Sequence, residues 1–126
     1  MLSYIFALIT LIIVFTINTL GPVVTHIDLR FFDVVLHLLG GLGLGFFLAG
    51  LSTSFSQLGF RKRSYIIFGV FLLGIAWELF EIYYDIAGYH LWTNPYYIDT
   101  AKDLIMDTIS GTIVAYLIIK KNVQQL

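Results

Sequence analysis

The chain has 126 residues, of which 59% are hydrophobic, 17% aromatic and only 12% charged, with a formal net charge of −1 and no cysteine. Soluble domains carry about 25% charged residues, so this composition excludes an ordinary soluble enzyme and a disordered chain. The near-zero net charge gives no basic field for nucleic acid, and the absence of cysteine excludes disulfides, thiolate metal sites and a thiol nucleophile. One small all-α integral membrane domain remains.

A bilayer core takes about 20 mostly apolar residues per helical span. Four stretches meet that requirement: 2–20, 31–51, 64–84 and 100–119. They predict a single domain, a bundle of four transmembrane helices. The first stretch is expected to stop at Gly21-Pro22. It lacks the basic start, short apolar run and small-residue cleavage site of a secretory signal, so it reads as a retained anchor. Arg61, Lys62 and Arg63 lie between the second and third stretches, and Lys120 and Lys121 follow the fourth. The positive-inside rule then places both ends of the chain in the cytoplasm.

With that orientation, all eight acids fall in the outer half: Asp28, Asp33, Glu78, Glu81, Asp85, Asp99, Asp103 and Asp107. The three histidines, His26, His37 and His90, fall there too. Steps of four residues stay on one helix face. The second stretch carries Asp33, His37, Gly41, Gly45 and Ala49 at that step, and the fourth carries Asp99, Asp103, Asp107, Gly111 and Ala115. Each stripe is ionisable on the outer side and small on the inner side. Small residues let helices approach closely in lipid, so both stripes should face the bundle interior. The third stretch adds Gly74, Glu78 and Glu81 at the same depth, with Asp85 beyond its end.

A carboxylate in hydrocarbon costs on the order of 3 kcal/mol even on the lenient insertion scale. Asp33, Glu78, Glu81, Asp103 and Asp107 sit within the spans, and only Lys102 and Arg30 are near enough to oppose them. The acids can be protonated, line water or bind a cation. The cation explains most: Asp33, His37, Glu78, Glu81, Asp103 and Asp107 form a candidate ligand set for a divalent metal. Oxygen ligands suit Mg, Ca or Mn, and the imidazole admits Zn or Fe. The paired Glu-x-x-His signature of di-iron bundles is missing. Taken singly, each has a plainer reading: Asp33 and His37 as an interhelical hydrogen-bonded pair, Glu78 and Glu81 as interfacial acids reaching for water, and Asp99 as a solvated acid near a helix start. It is the convergence of three helices that favours a functional site.

The glycine run 40–45 lies inside an apolar helix without the Lys-Ser/Thr of a phosphate loop, so it reads as a packing surface. Residues 85–98 form an aromatic outer connection with Tyr89, His90, Trp92, Tyr96 and Tyr97, expected at the membrane interface. Asn94-Pro95 is expected as a turn inside it. Trp77 is placed to wall the acidic site. The connector 52–57, with Arg61 to Arg63, is expected to touch anionic lipid.

The pattern Asp33-x-x-x-His37 with Gly41, Trp77-Glu78-Leu-Phe-Glu81, and Asp99-Thr100-x-x-Asp103-x-x-x-Asp107 with Gly111 resembles the YjdF-type membrane proteins of unknown function. It is similar, more distantly, to VanZ-like proteins, although the Gln and Arg of that pattern do not follow the glutamate here. The resemblance covers residues 31–115. It implies a multi-pass protein of a prokaryotic cytoplasmic membrane and brings no established reaction.

The leading expectation is a metal-dependent hydrolase at the outer face, acting on a lipid or lipid phosphate, with Glu81 as general base. A proton or cation transporter is the second class. A structural or accessory subunit is the third. Membrane lipids are the expected partners, with self-association left open and nucleic acid excluded.

Overall fold

The computed structural model describes residues 1–25, 29–54, 63–84 and 90–123, without the side chains of 18, 19, 21–25, 29–31, 53 and 119–123. Among the described residues, regular structure is all helical. The elements are α1 (Leu2–Thr25), α2 (Leu29–Ser54), α3 (Arg63–Tyr84) and α4 (Asn94–Val123). Asp28, His26, Asp85, Tyr89, Arg61, Lys62 and the connector from 55 to 62 lie outside the described residues, as do the side chains of Arg30, Lys120 and Lys121.

The stretch Phe32–Ser52 in α2 and the whole of α3 are long and apolar enough to cross a membrane. The apolar part of α1, Leu2–Ile17, is shorter. α4 has 30 residues, about 45 Å of helix, but carries Asp99, Lys102, Asp103 and Asp107 in its first half.

Two expected boundaries are corrected. Helix α1 continues through Gly21 and Pro22 to Thr25. Proline removes one backbone donor, which a helix tolerates when neighbours or local adjustment satisfy the freed group. Asn94-Pro95 is not a loop turn but the start of α4. The first turn of a helix has no intrahelical use for the missing proline N–H. Ahead of it, Trp92 turns the chain at φ 64°. Thr93 then caps the helix: its Oγ1 donates to the His90 carbonyl at 2.7 Å, and its own carbonyl accepts from Tyr97 N at 3.1 Å.

Glycines set the helix pairing. A Cβ on Gly41 would lie 2.7 Å from the Asp107 carbonyl oxygen, and one on Gly45 would lie 3.1 Å from Val114. Since both positions advance together, α2 and α4 run parallel. A Cβ on Gly111 would meet Val70 at 2.7 Å, and one on Gly74 would meet the Asp107 carboxylate at 2.9 Å. Those pairings run oppositely, so α3 is antiparallel to α4. A second glycine face of α2 receives α1: Gly43 lies under Thr10 and Gly50 under Tyr4. The Tyr4 hydroxyl meets Ser54 Oγ at 3.0 Å, and Phe6 stacks on Phe46.

The expected stripes therefore do face inward. His37, Asp103 and Asp107 are buried, as are Ala49 and Ala115 at the far end. That far end is dry: Ala49, Ile66, Val114 and Ala115 form its core, closed by Leu42, Phe46, Leu48, Ile67 and Ile118. Arg63 belongs to this end as well, with its guanidinium 4.5 Å from the Tyr116 ring centroid.

Gly40 stands apart, because a Cβ there would meet nothing within 4 Å. A matched pair of substitutions tests the packing. Gly41→Ala forces α2 off the α4 backbone and should cost about 1–3 kcal/mol. Gly40→Ala removes only the glycine helix penalty and should gain up to about 1 kcal/mol. Thermal melts in detergent followed by circular dichroism should give a lower Tm for the first and an equal or higher Tm for the second.

Candidate metal centre

The parallel start of α2 beside α4 sets His37 among three aspartates. Its Nδ1 lies 3.3 Å from Asp107 Oδ2. An ionised carboxylate accepts, so Nδ1 donates to Asp107, and Nε2 is the nitrogen left to offer a lone pair to a metal ion. That nitrogen lies 3.7 Å from Asp33 Oδ1 and 3.9 Å from Asp103 Oδ2. One donor atom each from Asp33, His37 and Asp103 fits within 4.8 Å of the others, a grouping able to hold a metal ion. In a tetrahedral shell with bonds of about 2.1 Å, neighbouring donors sit about 3.4 Å apart.

Each of the six candidate residues has a distinct setting. Asp33, His37 and Asp103 converge on one point. Asp107 binds the other side of the imidazole, and its carboxylate occupies the space left by Gly74. Glu78 is buried on α3, where its Oε2 accepts from the Thr100 hydroxyl at 2.7 Å. Glu81 accepts from the Trp77 indole N–H at 2.8 Å, one helical turn back. Trp77 and Glu81 both line a cleft that reaches Asp33, His37 and Asp107.

Two residues gain a role that spacing did not reveal. Lys102 is off the four-residue stripe, yet its Nζ pairs with Asp99 and stands 3.9 Å from both Asp33 Oδ2 and Asp103 Oδ1. Asp99 is accordingly half-buried and paired, not free in water. Thr100 holds Glu78. Its place beside Asp99 in the motif was the available signal, but a lone threonine in an apolar helix carries no chemistry of its own.

The local charge does not balance. Six carboxyls (Asp33, Glu78, Glu81, Asp99, Asp103 and Asp107) lie at this end, and among the described side chains in contact with them are one ammonium, Lys102, and one imidazole, His37. Two buried oxygens, Glu78 Oε1 and Asp103 Oδ1, have no hydrogen-bond partner, and their residues are 7% and 3% exposed. Buried acceptors of this kind are uncommon in folded proteins and call for a partner.

Helical architecture, apolar spans and a buried acidic cluster define a small membrane protein with a polar centre at one end. The chain belongs to the family described as Predicted membrane protein (DUF2238), which it matches over residues 1–122. This is the family of the YjdF-type resemblance, and the likeness to VanZ-like proteins is not supported. No curated protein and no solved structure matches the chain.

Thr100→Val leaves the second oxygen of Glu78 unpaired as well. It should cost about 1–3 kcal/mol and lower the Tm in detergent. Thr112→Val removes a bond to the Thr108 carbonyl within α4, and should move the Tm far less.

Proposed function

We propose that this protein crosses the membrane four times with both ends in the cytoplasm, binds a divalent cation in the outer half, and uses it to hydrolyse a lipid or lipid-phosphate bond. The arrangement of His37 carries the reading. Asp107 fixes the Nδ1–H and turns Nε2 toward Asp33 and Asp103, the carboxylate–imidazole–metal pattern of many protein metal sites. Asp103 Oδ1, which receives no hydrogen bond, and the excess of acid over base supply the reason for a cation. With Asp33, His37 and Asp103 as its protein ligands, a divalent ion would be able to take water and substrate as well, as in hydrolytic sites. Glu78 stands beside this set as a further carboxylate.

A bound divalent ion would lower the pKa of water and offset substrate charge. The chain's own part is positional. Glu81, held by Trp77 at the cleft, takes the proton as the water oxygen attacks phosphorus or an acyl carbon. The bond to the lipid oxygen then breaks, and the proton returns to that leaving oxygen. Asp107 keeps the imidazole in the ligating tautomer. A proton or cation carrier would need polar groups to continue across the bundle, whereas Gly45, Ala49, Val114 and Ala115 close the far half.

Elemental analysis of purified protein should find close to one equivalent of metal per chain. His37→Ala with Asp103→Ala should abolish it, and Asp107→Ala should weaken binding about 10–100-fold. Metal-free wild-type protein after dialysis against Mg, Mn, Zn, Fe and Ca would refute the cation site. Glu81→Gln should keep the metal and lower phosphate release from a lipid phosphate by about 100-fold or more.

A further inference from the structure

The cleft beside the centre has a volume of about 560 Å³, within the range of about 300–1,000 Å³ typical of small-ligand sites. Its polar end is formed by Asp33, His37, Glu81 and Asp107, and the rest is apolar. Helix α2 is the floor, through Leu36, Gly40 and Leu44. The walls come from Leu11 and Phe15 of α1 and from Leu73, Trp77 and Phe80 of α3. The wall residues are 38–69% exposed, so the cleft opens sideways between α1 and α3.

Three observations indicate what it holds. The floor from Asp33 to Leu44 spans eleven helical steps, about 16 Å. That is close to half of the roughly 30 Å hydrocarbon core, the depth of one leaflet. Gly40 lies at mid-floor, and of the described glycines it alone has open space where a side chain would be. The others touch a neighbouring helix. The polar end carries excess negative charge, which suits an anionic head only through a bound cation.

We infer that this cleft seats one hydrocarbon chain of a membrane amphiphile, lying along α2 over Gly40, with a phosphate head at the Asp33–His37–Asp103 centre. The seating of the chain is independent of the metal, while the choice of head rests on the cation proposed above. The tail enters sideways from the lipid, and Glu81 and Trp77 stand where the head joins it.

Trp77 reports on this site, and Trp92→Phe removes the other indole. The full chain carrying Trp92→Phe, in maltoside micelles, is titrated with a lysophosphatidate whose chain bears bromine at its middle. Bromine quenches indole at contact, so saturable loss of Trp77 emission is expected. Gly40→Phe fills the floor and should weaken that quenching at least tenfold with Tm unchanged. Gly40→Leu should fall between. Equal quenching in all three folded proteins would overturn the chain site. The phosphate head should be preferred over a choline head on the same brominated chain, and EDTA or Asp103→Asn should erase that preference while chain quenching persists. A preference that survives both treatments would refute the cation reading and leave the chain site standing. No preference in untreated protein would overturn the phosphate head.

Discussion

Parallel contact between α2 and α4 is the constraint from which the centre follows. Gly41 lets the Asp107 backbone lie where a side chain would otherwise stand. At that approach, the turns before Gly41 and around Asp107 share one depth, and His37 falls between Asp107 on one side and Asp33 and Asp103 on the other. Gly74 of α3 does the same for the carboxylate itself, leaving room for Asp107 Oδ2. The small residues and the acids of each stripe are thus parts of one device: the first set the distance, the second occupy it. A buried charge without a partner costs several kcal/mol, so such a device persists only if something opposes the charge.

The acids divide according to how they are opposed. Asp99 is satisfied by Lys102, Glu81 by Trp77 on one oxygen, and Glu78 by Thr100 on one oxygen. Asp107 is committed to the imidazole. Asp33 and Asp103 are left with the longest contacts, each 3.9 Å from Lys102 and farther than a hydrogen bond from His37. Those distances leave Asp33, Asp103 and one imidazole nitrogen facing one another with no hydrogen bond between them. Lysine moderates their charge from the edge of the group, since its ammonium is already engaged by Asp99.

Much of this was legible in the sequence because the four-residue step is a direct record of a helix face. Asp33, His37, Gly41, Gly45 and Ala49 needed no coordinates to be placed together, and neither did Asp103, Asp107, Gly111 and Ala115. Hydropathy likewise marked α3 to within a residue. What escaped has physical causes. Proline signals a stop only on average, so α1 running through Pro22 and α4 starting at Asn94 could not be separated from turns. Lys102 reaches the acids along a flexible side chain, and side-chain reach ignores the stripe on which its Cα sits. The second glycine face, Gly43 and Gly50 under α1, shares one run with the first, and a single run does not reveal which neighbour each glycine receives. Gly40 was hidden for the opposite reason: a glycine facing emptiness and a glycine facing a backbone look alike in sequence.

The placement of α1 gives the bundle its asymmetry. It packs chiefly on α2, against Gly43, Gly50, Phe46 and Phe47, while α3 and α4 pack on each other and on α2's other faces. Near Ala49 and Ile66 the apolar core closes the interior. Toward Asp33, α1 and α3 leave α2 partly uncovered, and Gly40 adds no side chain to fill the space. The polar centre therefore opens sideways between α1 and α3 on one flank while a packed apolar core lies between it and the opposite face. An ion bound there, as proposed, would be reached from the side of the bundle, with a packed apolar core between it and the opposite face. That side opening is what sets the proposed chemistry on a laterally entering molecule apart from passage of an ion along the bundle axis.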